Sequence, residues 1–155
     1  MAAQDLLKNI YLFKDQSQES LKMISEIAKM DSYNRGDEVF TQGEAATALY
    51  VIKFGSVRIH QKSGTGDKIE VAVLGTGSHF GEMSFIDREH RSATIEVLEK
   101  SELLTLDYDK LAELFSKNPL ISVPFYKSLC HFLCGRLRMT TNDLSFSREL
   151  NLKHF

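Results

Sequence analysis

Eight of the nine glycines in this chain fall between Gly36 and Gly81. Glycine at that density breaks helices and supplies the positive-φ corners that tight turns need. Between the glycines lie short runs rich in β-branched and aromatic residues: Val39-Phe40-Thr41, Leu49-Tyr50-Val51-Ile52, Val57-Arg58-Ile59-His60 and Ile69-Glu70-Val71-Ala72-Val73-Leu74. Ala93-Thr94-Ile95-Glu96-Val97 and Leu103-Leu104-Thr105-Leu106 continue the series. Several alternate apolar with polar, the period of a strand with one buried face. Ser63-Gly64-Thr65-Gly66-Asp67 reads as a hairpin turn. Residues 31–107 therefore predict a β-roll or jelly-roll barrel.

Both flanks are helical in pattern. Before about Met30, Leu6, Leu7 and Ile10 form one apolar face, and Leu21, Ile24, Ile27 and Ala28 another. Ser17 or Ser20 is placed to cap the second helix. After Tyr108, the spacing of Leu111, Leu114 and Phe115 gives a short helix that Asn118-Pro119 ends. Pro124 then suits the first turn of a long helix, with Ser122 or Val123 as its cap. On that helix Val123, Tyr126, Cys130, Leu133, Leu137, Thr140, Leu144 and Ser147 follow a three-four spacing, a heptad seam. Phe125, Leu129 and Phe132 make a second stripe. One stripe can pack on the chain's own barrel and the other on a second copy, which predicts a homodimer. The fold class expected is mainly β with flanking helices: a β-roll with N-terminal helices (1–30) and C-terminal helices (108–155), in one domain spanning 1–155.

At 155 residues, 43% hydrophobic and 26% charged, the chain is expected to be globular rather than disordered. Its net charge of −2 shows no basic excess of the kind that binds nucleic-acid phosphates. A ligand with a single negative charge is compatible, because one arginine neutralises it. No run reaches the ~18 apolar residues of a membrane span. A soluble, cytoplasmic protein is expected. Cys130 and Cys134 are expected to be plain buried thiols, since no further ligands stand at metal spacing nearby.

Chemistry concentrates in Phe80-Gly81-Glu82-Met83-Ser84-Phe85-Ile86-Asp87-Arg88-Glu89-His90-Arg91-Ser92-Ala93. The glycine followed by a short apolar-periodic run suggests one turn of helix, whose free N–H groups suit an anion. Arg91 can reach back to the same anion with two charged hydrogen bonds. Glu82 would repel an anion unless it accepts from a hydroxyl or offsets Arg91. A ribose 2′-OH beside a 3′,5′-cyclic phosphate meets both conditions. Taken alone, the pair also fits an ordinary surface ion pair.

Phe80-Gly81-Glu82 with Arg91-Ser92-Ala93-Thr94 resembles the phosphate-binding cassette of the cyclic nucleotide-binding domain family. Tyr33-Asn34-Arg35-Gly36-Asp37-Glu38-Val39-Phe40 is similar to the family's entry strand. The stretch from Gly43 to Val57 resembles its turn and glycine punctuation. The resemblance implies that Glu82 takes the ribose 2′-OH and Arg91 a phosphate oxygen. It also implies that the backbone from Gly81 through Met83 to Ser84, with Ser92 and Ala93, completes the cradle. The chain departs from many kinase-type members at Ser84, where they carry alanine, and at His90, where they carry proline. Gly135 to Phe146 resembles the dimer helix of the catabolite activator branch. There, hydroxyl residues at the positions matching Thr140 and Thr141 meet the adenine, one from each subunit. Arg136 reads either as support for the pocket or as a solvated charge.

The resulting expectation is a cyclic nucleotide sensor without its own effector. It would bind cyclic AMP in preference to cyclic GMP, need no cofactor or metal, and signal through a dimer or a partner protein. Too few residues follow Leu150 for a helix-turn-helix, so no DNA binding is expected. Two other readings are an interaction module with a vestigial pocket and a cupin-like metalloenzyme. The latter is disfavoured because His60, His79 and His90 form no His-x-His arrangement. Gly75-Thr76-Gly77-Ser78-His79-Phe80 fails the dinucleotide pattern at its last glycine.

Overall fold

A computed structural model describes residues 2–153. Each of the six expected strand runs forms a strand: β2 (Glu38–Phe40), β3 (Ala48–Phe54), β4 (Ser56–Lys62), β5 (Lys68–Gly75), β7 (Thr94–Val97) and β8 (Ser101–Asp107). Two further strands were not expected. β1 (Ala28–Tyr33) starts inside the region read as helix, and β6 (His79–Phe80) is only two residues long. All pairings are antiparallel. The strands form two four-stranded sheets, ordered β1-β8-β3-β6 and β2-β7-β4-β5. The Ser63–Asp67 turn closes the β4–β5 hairpin, with Gly66 at φ +87°.

β3 is buried on both faces. Ala48, Tyr50 and Ile52 join Val57, Phe80, Ile95, Val97 and Leu103 in a core between the sheets. Leu49 and Val51 point the other way, into a second core made with the helices. This double burial explains why the run Leu49–Ile52 is continuously apolar instead of alternating.

The N-terminal segment builds the helical side of that second core. It comprises α1 (Ala3–Leu7), a 3₁₀ turn (Tyr11–Phe13) and α2 (Gln18–Glu26). Ser17 caps α2, its hydroxyl accepting from the Ser20 N–H at 3.1 Å. Ile27 is the C-cap and Ala28 opens β1, so the helix stops short of its expected end. Register decides this: Ala28 pairs with Leu106 across the β1–β8 ladder.

Asp107 caps α4 (Tyr108–Lys117), accepting from the N–H groups of Asp109 and Lys110. The next helix, α5 (Pro119–Lys153), corrects one boundary. Pro119 occupies its first turn, and Pro124 lies inside the helix. Asn118 ahead of Pro119 leaves the helical region, at φ −136° and ψ 79°, and so avoids the conformation that a following proline disfavours. Pro124 has no N–H for the carbonyl of Leu120. Leu120 is exposed, on the side where a lost helical bond costs least.

α5 separates into two parts. Phe125 and Leu129 are buried against the N-terminal segment, α3 (Glu82–Asp87) and α4, as the second stripe predicts, and Phe132 is half-buried beside them. Leu133, expected in the partner-facing seam, packs on this same core. From Cys134 to Lys153 every residue is exposed, including Leu137, Met139, Leu144, Phe146, Leu150 and Leu152. Cys130 and Cys134 are free and exposed, contrary to expectation. The helix buries its Phe125–Leu129 face, and Cys130 stands one residue, about 100° of rotation, away from it. No described helix is long and apolar enough to cross a membrane.

Candidate functional site

Gly81 turns the chain from β6 into α3 with φ +87°. A Cβ here would sit 3.0 Å from the Ala48 carbonyl oxygen and 3.0 Å from Nη1 of Arg91. Backbone conformation and space therefore both require glycine. Glu82 opens α3, and its side chain is 5% exposed. Phe85, one turn on, packs among Tyr108, Phe115, Phe125 and Tyr126, which pins α3 to the helical core. Met83 and Ile86 occupy its exposed side.

Arg91 lies in the loop between α3 and β7. Its backbone is tied to the turn before β3: its N–H donates to Glu44 O, and its carbonyl accepts from the Gly43 N–H, both at 2.8 Å. His90 adds a contact between Nδ1 and the Gly43 carbonyl at 2.8 Å. The Arg91 side chain is 5% exposed. Nη1 donates to the Tyr108 hydroxyl at 2.9 Å and Nη2 to the Ala48 carbonyl at 2.7 Å. The guanidinium also lies over the Phe40 ring, 3.8 Å from its centroid. Nε is buried without a hydrogen-bond partner. The Tyr108 hydroxyl in turn donates to the Gly81 carbonyl. One phenol thus couples the glycine turn to the arginine.

These groups line one half-open cavity. Phe80, Gly81, Glu82, Met83, Ser84, Arg91, Ser92 and Ala93 all face it. Ile59, Leu74 and Ile95 supply an apolar wall, and Arg136 reaches the rim from α5. A buried guanidinium and a buried carboxylate in one apolar cavity suit a ligand that carries both an anion and a hydroxyl donor. Thr140 and Thr141 do not line this cavity. Both are exposed on α5, with hydroxyls donating to the carbonyls of Arg136 and Leu137 at 3.0 and 2.8 Å. Among the described residues, no three His, Cys, Asp or Glu side chains converge as a metal site needs.

Three residues of the site carried no functional signal in the sequence. Tyr108 and Phe40 hold Arg91, yet each is far from it along the chain. His79 is 5% exposed, with Nδ1 3.5 Å from Glu82 Oε2 and its ring 4.5 Å from that of Phe132 on α5. Ile59, Leu74 and Ile95 were legible only as inward positions of alternating strands.

Tyrosine ionisation gives this region an alkaline limit. Burial, reinforced by Tyr50, Asp31 and Asp37, pushes the Tyr33 phenol up to about 12. Burial also raises Tyr50 and Tyr108, and Arg91 pulls both partly back. The neutral phenol is the form favoured in the fold, whereas the unfolded chain ionises its tyrosines near 10. Stability is therefore fully present below pH 10 and is expected to fall as pH rises from there through about 12. Denaturant midpoints measured from about pH 8 upward should show this fall, and Tyr33→Phe should reduce it. A flat profile would contradict the assignment.

Known proteins bear on the site as follows. The family described as "Cyclic nucleotide-binding domain" matches residues 30–118. The cyclic AMP receptor protein of Thermus thermophilus is 32% identical over 148 residues, covering 94% of this chain and 67% of that protein. Cyclic GMP-binding protein C of Dictyostelium discoideum is 35% identical over 124 residues, 80% of this chain but 4% of that much longer protein. The crystal structure of the Thermus thermophilus catabolite activator protein superposes with a TM-score of 0.77 at 31% identity, covering 88% of this chain and 62% of that one.

Proposed function

The chain belongs to the cyclic nucleotide-binding domain family, and from that premise we propose that its cavity binds a 3′,5′-cyclic nucleotide, cyclic AMP in preference to cyclic GMP. The observation that carries this reading is the convergence of Arg91 and Glu82 on one pocket, each 5% exposed, with Nε of Arg91 buried and unpartnered. In this reading Arg91 turns its unused donors to the cyclic phosphate and Glu82 accepts from the ribose 2′-OH. The purine fills the apolar wall of Ile59, Leu74 and Ile95. The domain acts as a sensor rather than an enzyme and passes its signal to a partner protein in the cytoplasm.

α5 supplies the response. Ligand binding draws this helix toward the base, and the exposed apolar residues beyond Cys134 pack against a second copy. Thr140 and Thr141 then approach the adenine at the junction of pocket and dimer. The mechanism is a population shift, because the nucleotide biases α5 only by binding one arrangement more tightly than the other. A vestigial, unliganded pocket is the second reading. The internal bonds from Arg91 to Tyr108 and Ala48 favour it, since they engage the guanidinium without any ligand.

Calorimetric titration with cyclic AMP and with cyclic GMP decides between the two. Heat with a micromolar or tighter midpoint is expected for cyclic AMP, with weaker binding of cyclic GMP. No heat with either nucleotide, at protein concentrations well above micromolar, sinks the sensor. Tighter cyclic GMP binding overturns the base preference alone. Light scattering of the nucleotide-saturated protein should give twice the monomer mass, and monomer mass alone would refute the dimer.

A further inference from the structure

The ribose and phosphate contacts leave one buried polar group of the pocket without a task. His79 is the first residue of β6 and pairs with Val51 of β3. Its Nδ1 and Oε2 of Glu82 face each other at 3.5 Å, and neither atom has a hydrogen-bond partner elsewhere. Across the ring stands Phe132 of α5, and the Arg136 guanidinium lies 5.7 Å from the Phe132 centroid. Glu82 is thus the charged group placed against the His79 ring, and Arg136 lies beside Phe132.

A buried carboxylate oxygen needs a donor. Among the described residues, the candidate placed against Oε2 is an Nδ1–H on His79. If Nδ1 were bare, two sets of lone pairs would oppose each other on two atoms that are both buried. The contact therefore selects the tautomer, or the protonated ring, that carries a proton on Nδ1. The separation is slightly longer than a good hydrogen bond, and a small rotation of the Glu82 carboxylate closes it. With Oε2 held in this way, Oε1 is the oxygen left to serve the cavity. We infer that His79 is a positioning residue for Glu82, orienting its carboxylate to accept from the sugar hydroxyl of the ligand. This rests on the reading of the cavity as a cyclic nucleotide site.

A carboxylate aimed at the 2′-OH matters only to a nucleotide that has one. The test therefore compares cyclic AMP with 2′-deoxy cyclic AMP on the full chain and on His79→Phe. Phenylalanine keeps an aromatic ring against Phe132 and removes the ring nitrogens, Nδ1–H among them. The unaltered chain is expected to prefer the ribonucleotide about ten- to a hundredfold, the range of one charged hydrogen bond. His79→Phe should shrink that preference to within about threefold by weakening cyclic AMP binding, with affinity for the deoxy form unchanged. An undiminished preference in His79→Phe, or an equal loss for both nucleotides, overturns the inference and leaves the nucleotide site standing. If the unaltered chain binds neither nucleotide, the site reading falls and takes the inference with it. Assigned ¹⁵N shifts of the unaltered chain decide the matter if the variant does not fold. They should show a proton on Nδ1 of His79, and an Nε2–H tautomer with bare Nδ1 overturns the inference.

Discussion

Replacing Arg91 with alanine is expected to weaken cyclic nucleotide binding by roughly 100-fold or more. A hydrogen bond to a charged group contributes about 1.5–3 kcal/mol. Two to one phosphate are worth about 3 kcal/mol or more, and each 1.4 kcal/mol is a factor of ten. The same substitution also removes internal contacts. It strips the Ala48 carbonyl and the Tyr108 hydroxyl of a donor and the Phe40 face of its cation. A stability loss of about 1–3 kcal/mol should accompany the affinity loss, because buried acceptors are left unpaired. Arg91→Lys separates the two effects. It keeps the charge but not the planar fork that reaches Tyr108 and Ala48 together. Binding by the lysine variant should lie between the other two. Calorimetry on all three proteins, below their measured melting temperatures, checks the series. Binding by Arg91→Ala as tight as that of the unaltered chain would remove the phosphate from this arginine.

Phe125→Ala is expected to cost about 3–5 kcal/mol of folding stability, the usual range for truncating a fully buried aromatic ring. Phe125 is 0% exposed. Its ring meets Phe115 at 4.8 Å, Phe13 at 5.6 Å, Tyr126 at 5.6 Å and Phe85 at 5.9 Å between centroids. Those partners belong to α4, the N-terminal 3₁₀ turn, α5 itself and α3. One deletion therefore loosens the element that carries Glu82 as well as the base of α5. Equilibrium urea denaturation should show the loss as a lower midpoint. Leu137→Ala, on the exposed part of α5, should shift the monomer by no more than about 0.5 kcal/mol. A change below about 1 kcal/mol at Phe125 would mean that the aromatic cluster does not anchor α5.

The strands were legible because their signal is local. Six apolar runs between glycines became six strands, and the Ser63–Asp67 turn closed its hairpin. β1 was missed because Ala28-Lys29-Met30-Asp31 carries no β-branched or aromatic residue and continues a helical pattern, and it is held as strand by pairing with β8, more than seventy residues away. β6 is too short to show a period at all. In the sequence Pro119 marks the end of one helix and Pro124 the start of the next, and only the fold shows that α5 begins at the first and tolerates the second. The cysteines were misjudged for a related reason. Periodicity gives the spacing of a helical face, but which face meets the core depends on the partner elements.

At the site, Glu82, Arg91 and the residues around them were readable from type and spacing, sharpened by family likeness. Their supports were not. Tyr108 reaches Gly81 and Arg91 from the start of α4, and Phe40 lies beneath the guanidinium from β2. Neither has a spacing rule that links it to the cassette. Thr140 and Thr141 were singled out for the ligand, yet in the single chain they lie on α5 outside the cavity.

The division of α5 into a buried base and an exposed remainder makes it a lever with unequal arms. From Cys134 to Lys153 the helix is free of its own core and runs for about 30 Å at 1.5 Å per residue. A tilt of about 10° at the Phe125–Leu129 fulcrum, about 39 Å from the end of the helix, carries the Lys153 end through about 7 Å. The His79–Phe132 contact lies close to the fulcrum, about one turn out along the same arm. A displacement at the pocket too small to break any packing contact therefore grows to about the width of a side chain at the far end, where a readout by another protein gains the most.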